Sequence, residues 1–305
     1  MKISVVIPCY NSEKSIEEVV TLTRSELIRL GYDYEFVLVN DNSKDNTYEV
    51  IRKLAKNDSN VKGINLIRNF GQHNAIMAGL NHISGDLVVG MDDDLQTHPS
   101  QLEKLINKYN EGYDLVFATY SERKFSFFRN IGSKFNRKIR GLLSDFPKNI
   151  YTSSFWIVNK LVCEYAIAYK HSYPHIQGLF FKLTKNVANI EVEHFERKYG
   201  VSNYNLKALI RLWSTIINFS IAPLRLVMLL GFIFAFIGFL GAIVIVIHKI
   251  INPVVPIGWT SLMVTVLMLF GINFICIGLV GEYIGRLFMA SNNAPQYAIR
   301  EKINC

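Results

Sequence analysis

The chain has 305 residues, half of them hydrophobic and 19% charged, with a formal net charge of +8. That balance fits one good-sized domain joined to a membrane segment better than two water-soluble domains, and the charge by itself suits nucleic acid, anionic lipid or phosphorylated substrates alike. The four cysteines, Cys9, Cys163, Cys276 and Cys305, are far apart and form no C-x-x-C or Cys/His cluster, which argues against a disulfide framework and a zinc site.

In chain order, Ile3 to Ile7 is a short β-branched run closed by Pro8, and Ser12 to Leu30 has helical spacing at Ile16, Val19, Val20 and Leu27. These predict strand, loop and helix. No charged n-region followed by a long apolar core opens the chain, so no cleaved signal peptide is expected. The pattern then recurs, predicting strands over 35–40, 61–67, 86–91 and 115–119 and helices over 45–56, 74–83 and 100–109. Strands alternating with helices imply an α/β domain with a mostly parallel, helix-covered sheet, whose ligand site lies beyond the strands' carboxyl ends. The loops after Ile7, Asn40 and Met91 are therefore the informative ones. Further on, Phe125 to Leu143 is basic and amphipathic, and strands are predicted near 153–158 and 187–194.

Residues 205–218 carry Lys207, Arg211, Ser214, Thr215 and Asn218 on one helical face and Leu206, Leu209, Ile210, Trp213, Ile216 and Ile217 on the other. A basic amphipathic helix with a tryptophan just before apolar spans fits a membrane interface, and packing on the domain is the alternative. Stretches 226–247 and 259–280 are each long enough to cross the hydrocarbon core, which needs about 20 apolar residues. Basic residues flank both outer ends, Lys207, Arg211 and Arg225 before and Arg286, Arg300 and Lys302 after. They place both termini and the large domain on the cytoplasmic side. The expected organisation is a catalytic domain over 1–202, an interface helix over 203–223, two transmembrane helices within 224–288 and a cytosolic tail over 289–305.

The sharpest chemical signal is Met91-Asp-Asp-Asp-Leu-Gln96 directly after a predicted strand. If the backbone stays extended, Asp92, Asp94 and Gln96 project to one side and Asp93 to the other. Such hard oxygen ligands at a strand's carboxyl end suit Mg²⁺ or Mn²⁺ holding a diphosphate; an acidic turn capping the next helix is the plainer alternative. Asp41, after the second strand, reads on its own as a turn and helix-cap residue, and a carboxylate there also suits a pyrimidine ring nitrogen. The absence of G-x-G-x-x-G and of G-x-x-x-x-G-K-[ST] argues against a dinucleotide oxidoreductase and a P-loop ATPase.

Pro8-Cys-Tyr-Asn11, Asn40-Asp41-Asn-Ser43, Arg68-Asn-Phe-Gly-Gln72 with Ala78-Gly79-Leu80, and Asp92-Asp-Asp94-Leu-Gln96 resemble the inverting family 2 glycosyltransferases of GT-A fold. Within them the chain is similar to polyprenyl-phosphate glycosyltransferases: bactoprenol glucosyltransferases, undecaprenyl-phosphate aminoarabinose transferases and, more distantly, dolichol-phosphate mannose synthases. The resemblance extends to Ala222-Pro-Leu-Arg225 before the first span and Gly278 to Arg286 closing the second. It implies transfer of a sugar from a nucleotide-sugar, UDP-linked, to a polyprenyl phosphate such as undecaprenyl phosphate at the cytosolic membrane face, with no nucleic acid involved. It also implies a homo-oligomer, because relatives form tetramers.

By the same resemblance, Pro8, Tyr10, Asn11 and Asp41 hold the nucleotide, Asp92 contacts the donor, and Asp94 with Gln96 binds the metal. Arg129 and Ser133 receive the lipid phosphate, and Arg197 lies near the diphosphate. Without the resemblance, Arg129 reads as a solvated or lipid-facing charge in a basic stretch. Three departures stand out. Ser12 occupies a position where relatives carry Glu, unless Glu13 replaces it; the middle of the acidic triplet, often Ala, is Asp93; and Asn149 to Trp156 replaces an Asp followed by a Gly-rich turn and an Arg. Two other functions stay open: a processive polysaccharide synthase, which lacks support from a Q-x-x-R-W motif or further spans, and a non-catalytic nucleotide-sugar-binding membrane protein.

Overall fold

The structure, a computed structural model, describes residues 1–120, 150–171, 174–193, 195, 240, 247, 251, 258–291 and 295–305. Arg129, Ser133, Arg197, the expected interface helix and, apart from Leu240 and Ile247, the expected span 226–247 lie outside the described residues. Two compact units are present, the first holding all strands and the second holding the last helix.

In the first unit the strands are β1 (Lys2–Cys9), β2 (Asp33–Asn40), β3 (Val61–Leu66), β4 (Leu87–Gly90), β5 (Leu115–Tyr120), β6 (Trp156–Asn159), β7 (Val187–Val192) and β8 (Ile299–Ile303). The helices are α1 (Ile16–Arg29), α2 (Thr47–Asn57), α3 (Gln72–Leu80), α4 (Leu102–Tyr109), α5 (Lys160–Ala166) and α6 (Ile176–Leu183). A 3₁₀ turn, Pro99–Gln101, leads into α4, so the helix predicted from residue 100 begins in the tighter geometry that proline at a first helical position favours.

The eight strands form one sheet in the order β7-β5-β6-β4-β1-β2-β3-β8. β1, β2, β3 and β4 pair in parallel, as the strand-helix alternation predicts. β6 runs antiparallel to both β4 and β5, and β8 antiparallel to β3. Ile3, Val5, Val6 and Ile7 of β1 and Phe36 to Val39 of β2 are all fully buried, as continuous apolar strands covered on both faces should be. α3 lies close: a Cβ on Gly79 would come within 2.5 Å of Val6 Cγ1. Next to the site, a Cβ on Gly90 would lie 2.2 Å from the Trp156 indole, so β4 needs a glycine where that ring crosses it.

Within the segment 289–305, expected as a cytosolic tail, Ile299–Ile303 forms the strand β8 at one edge of the sheet. Ile303 to Ile299 pair along Gly63 to Leu66, Asn304 donates to the carbonyls of Ala55 and Val61 at 2.6 and 2.9 Å, and Arg52 pairs with Glu301 at 3.1 Å. This covers an edge of β3 that would otherwise present unpaired backbone groups.

At the amino ends of the strands, Glu35 is 1% exposed and paired with Lys2 and Lys62, each at 3.0 Å. Its carboxylate also accepts from Ser4 and from the backbone and hydroxyl of Ser84. This cluster lies at the end of the sheet opposite to the loops that carry the chemical signals.

In the second unit, α7 (Trp259–Ser291) is one helix of 33 residues running through the second expected span. Leu262, Leu269, Phe270, Ile275, Ile277 and Val280 on it are exposed. Among the described residues no helix is long and apolar enough to count as a membrane span; several side chains of α7 lie outside those residues.

Candidate active site

The loops after β1, β2 and β4 meet at the carboxyl ends of their strands, as a parallel sheet requires. Asn11 donates its backbone N–H to Ser43 Oγ at 3.0 Å and accepts the Lys44 N–H on its side chain at 2.9 Å. Its φ of +57° and the +54° of Asn42 are left-handed values that asparagine tolerates better than most residues. Asn40 is tied across to Asn65 and accepts from the Ser43 hydroxyl. The Tyr10 side chain is 47% exposed, an aromatic face left open over the joined loops.

Asp41 is 3% exposed, and its two oxygens accept the backbone N–H groups of Phe70 and Gly71 at 2.7 and 2.8 Å. Burial raises its pKa, an effect partly offset by those two amides. The carboxylate therefore fixes the 68–71 loop at the start of α3. The Glu13 oxygens accept the backbone and side-chain N–H groups of Asn46, both at 3.2 Å.

The acidic triplet divides between different partners. Asp92 Oδ1 accepts from Gln72 Nε2 at 2.8 Å, and Oδ2 accepts from Ser154 Oγ. Burial pushes its pKa up to about 6, with the Asp94 and Asp93 charges adding to the rise and the Ser154 and Gln72 bonds opposing it. Asp93 Oδ2 accepts the Tyr10 N–H at 3.1 Å and the Ser12 hydroxyl. Asp94 Oδ1 accepts the Gln96 N–H at 3.1 Å. The backbone is not extended through this motif as expected: β4 ends at Gly90, and Leu95 has φ +58°. A buried leucine in the left-handed region is strained, and such strain concentrates where the surrounding structure must aim functional groups.

Among the described residues no group of three or more His, Cys, Asp or Glu is arranged to hold a metal. That agrees with Asp92 and Asp93 being engaged by neutral donors. Asp94 and Gln96 lie two residues apart on the loop after β4, and both carry side-chain oxygens of the hard kind that Mg²⁺ and Mn²⁺ favour. Tyr10, Asn11, Asp41, Asp92, Asp94 and Gln96 thus lie on loops at one end of the sheet, and Pro8 lies at the carboxyl end of β1 itself. Gln72 and Ser154 join them without having been singled out from sequence. Gln72 carried a visible signal inside Arg68-Asn-Phe-Gly-Gln72, whereas Ser154 sits in the segment that departs from the family pattern.

Comparison with known proteins gives a match of residues 4–165 to the glycosyl transferase family 2 model and of residues 222–287 to the GtrB C-terminal hairpin model. The chain is 33% identical, over 99% of its length and 94% of the relative's, to the undecaprenyl-phosphate 4-deoxy-4-formamido-L-arabinose transferase of Proteus mirabilis (strain HI4320). Its fold is similar to glucosyl-3-phosphoglycerate synthase from Mycobacterium tuberculosis, solved with Mn²⁺ and UDP-glucose, at TM-score 0.54 and 20% identity over 71% of this chain and 76% of that one. It is also similar to mannosyl-3-phosphoglycerate synthase from Rubrobacter xylanophilus, at TM-score 0.50 and 15% identity over 72% of each chain.

Proposed function

The chain belongs to the family 2 glycosyltransferases, and we propose that it moves a sugar from a UDP-sugar to undecaprenyl phosphate at the cytosolic face of a membrane, inverting the anomeric centre. One observation carries this: the Asp92 to Asp94 triplet is gathered at the β1, β2 and β4 loops, in a chain similar along almost its whole length to an undecaprenyl-phosphate sugar transferase.

Membrane attachment through a two-helix hairpin is supported by the match at 222–287 and by the exposed aliphatic side chains of α7. The sheet adds a topological constraint. β8 follows the hairpin in sequence yet pairs with β3, so the chain must return to the side from which it left. An even number of crossings satisfies that condition, and the basic residues outside the hairpin support the cytosol as the shared side.

The chemistry needs no dedicated general base. The second pKa of a phosphate monoester is about 6, so the lipid phosphate is largely dianionic at neutral pH and attacks the anomeric carbon directly. The chain's task is alignment. Pro8, Tyr10 and Asn11 hold the nucleoside end, Asp41 sets the adjoining loop, and Asp92, oriented by Gln72 and Ser154, faces the donor. Arg129 and Ser133 receive the lipid phosphate and Arg197 the diphosphate. Asp94 and Gln96 would hold Mg²⁺ or Mn²⁺, which supplies charge neutralisation for the departing nucleoside diphosphate. In-line displacement turns an α-linked donor into a β-linked lipid-phosphate sugar.

The purified full-length protein, incubated with undecaprenyl phosphate, Mg²⁺ or Mn²⁺ and a panel of UDP-sugars, is expected to release UDP and form one monoglycosylated lipid phosphate by mass spectrometry. Folded protein that binds UDP yet forms no glycolipid from any donor would overturn the assignment. Ser154→Ala is expected to lower kcat/KM about tenfold or more, since a hydrogen bond to a charged group contributes about 1.5–3 kcal/mol. An unchanged kcat/KM would remove Ser154 from the machinery.

A further inference from the structure

Two of the departures from the family pattern, Ser12 and Asp93, touch each other. Ser12 follows β1 and is 4% exposed. Its N–H donates to Thr47 Oγ1 at 2.8 Å, and its carbonyl accepts from Ser15 and Ile16, both at 3.0 Å. The residue is thereby locked to the starts of α1 and α2, and its hydroxyl is directed onto Asp93 Oδ2. The same oxygen takes the Tyr10 N–H at 3.1 Å. Asp93 thus faces the β1 loop, away from the Gln72 and Ser154 groups that hold Asp92.

We infer that Asp93 and Ser12 form a positioning pair that ties the nucleotide-side loop to the acidic loop, and that Asp93 is not a metal ligand. Asp93 Oδ2 already accepts the Tyr10 N–H and the Ser12 hydroxyl, so taking up a cation through that oxygen would break the contact between the two loops. The consequence for the reaction is geometric: the tie fixes the distance between Tyr10, at the nucleoside end of the donor site, and Asp94, at its diphosphate end. This rests on the donor site described under Proposed function.

The test is UDP binding to the full-length protein by calorimetry, in chelator and in Mn²⁺, with Mn²⁺ binding alone measured separately. Asp93→Ala is expected to weaken UDP binding about tenfold in chelator while leaving Mn²⁺ binding intact. Ser12→Glu sets a second carboxylate against Asp93 and is expected to weaken UDP binding to a similar degree. The double variant, Ser12→Glu with Asp93→Ala, restores one carboxylate between the loops and is expected to return within about threefold of the parent, the non-additivity that marks a coupled pair. Asp93→Asn, which retains an acceptor for the Tyr10 N–H, supplies a mild variant should the alanine variant fold poorly; its expected loss is about threefold.

A double variant no better than the worse single one overturns the pairing. Lost Mn²⁺ binding in Asp93→Ala or Asp93→Asn, with UDP affinity in chelator unchanged, makes Asp93 a ligand and overturns the inference. A parent protein that binds no UDP refutes the donor site itself, and with it the role given to the pair.

Discussion

Replacing Asp94 with alanine is expected to reduce sugar transfer at least about 100-fold while the protein keeps its fold. Lewis-acid stabilisation of a departing phosphate is worth several kcal/mol, and each factor of ten corresponds to about 1.4 kcal/mol. Asp94 accepts the Gln96 N–H within its own loop, and Asp92 and Asp93 tie to α3, the 151–155 segment and the β1 loop. Those ties of Asp92 and Asp93 do not use the Asp94 carboxylate, so they remain in the variant. Steady-state kinetics alongside thermal unfolding distinguishes the two effects: a large fall in kcat at unchanged melting temperature is expected. Transfer within about threefold of the parent would move the metal away from Asp94.

Replacing Glu35 with alanine is expected to lower stability by about 3 kcal/mol without altering the site's chemistry. The variant would leave Lys2, Lys62 and the Ser84 amide without the carboxylate they share, and breaking a buried ion pair from one side costs about 3–5 kcal/mol. The lower figure applies because Lys2 is 36% and Lys62 17% exposed, so water reaches the ammonium groups. For a domain of this size that amounts to a fall in melting temperature of roughly 6–12 °C.

The same cluster predicts a pH dependence. Burial alone would raise the Glu35 pKa, but the Ser4, Ser84 and Lys2 bonds outweigh it and bring the value down to about 2. A carboxylate with a depressed folded-state pKa stabilises the fold above its ordinary unfolded value, about 4.3. That stabilisation is lost as pH falls toward 2. The parent should lose stability across that window more steeply than Glu35→Gln, and denaturant unfolding at pH 5, 4 and 3 reads the difference. Parallel slopes would show that the cluster does not govern acid stability.

Much of the catalytic domain was legible because its strands are continuous β-branched runs and its helices have clear apolar spacing. Ile3 to Ile7 and Glu35 to Asn40 both fall inside the strands that form. Strand ends shifted by one to three residues, since pairing partners decide where a ladder stops: the strand expected over 153–158 begins only at Trp156, opposite Gly90. The candidate site was legible as a set of loops. What Asp92 and Asp93 do was not, because an aspartate's role depends on which donors the fold brings to it, and their donors are 20 to 83 positions away in sequence. Asp41, which reads from sequence as a cap or a base-binding group, is fastened to the amides of Phe70 and Gly71.

The sequence by itself determined the strand-helix alternation, the acidic motif at the end of the fourth strand, and the apolar stretches that follow the domain. These are local properties, set by side-chain periodicity and by short runs of like chemistry. Only the tertiary structure decided that Ser12 meets Asp93, that Ser154 meets Asp92, and that the last residues return as β8 to cover β3. A polar β-strand of five residues after a long apolar segment has no periodicity to announce it. It forms because β3 would otherwise expose a row of unpaired backbone donors and acceptors, and pairing satisfies them.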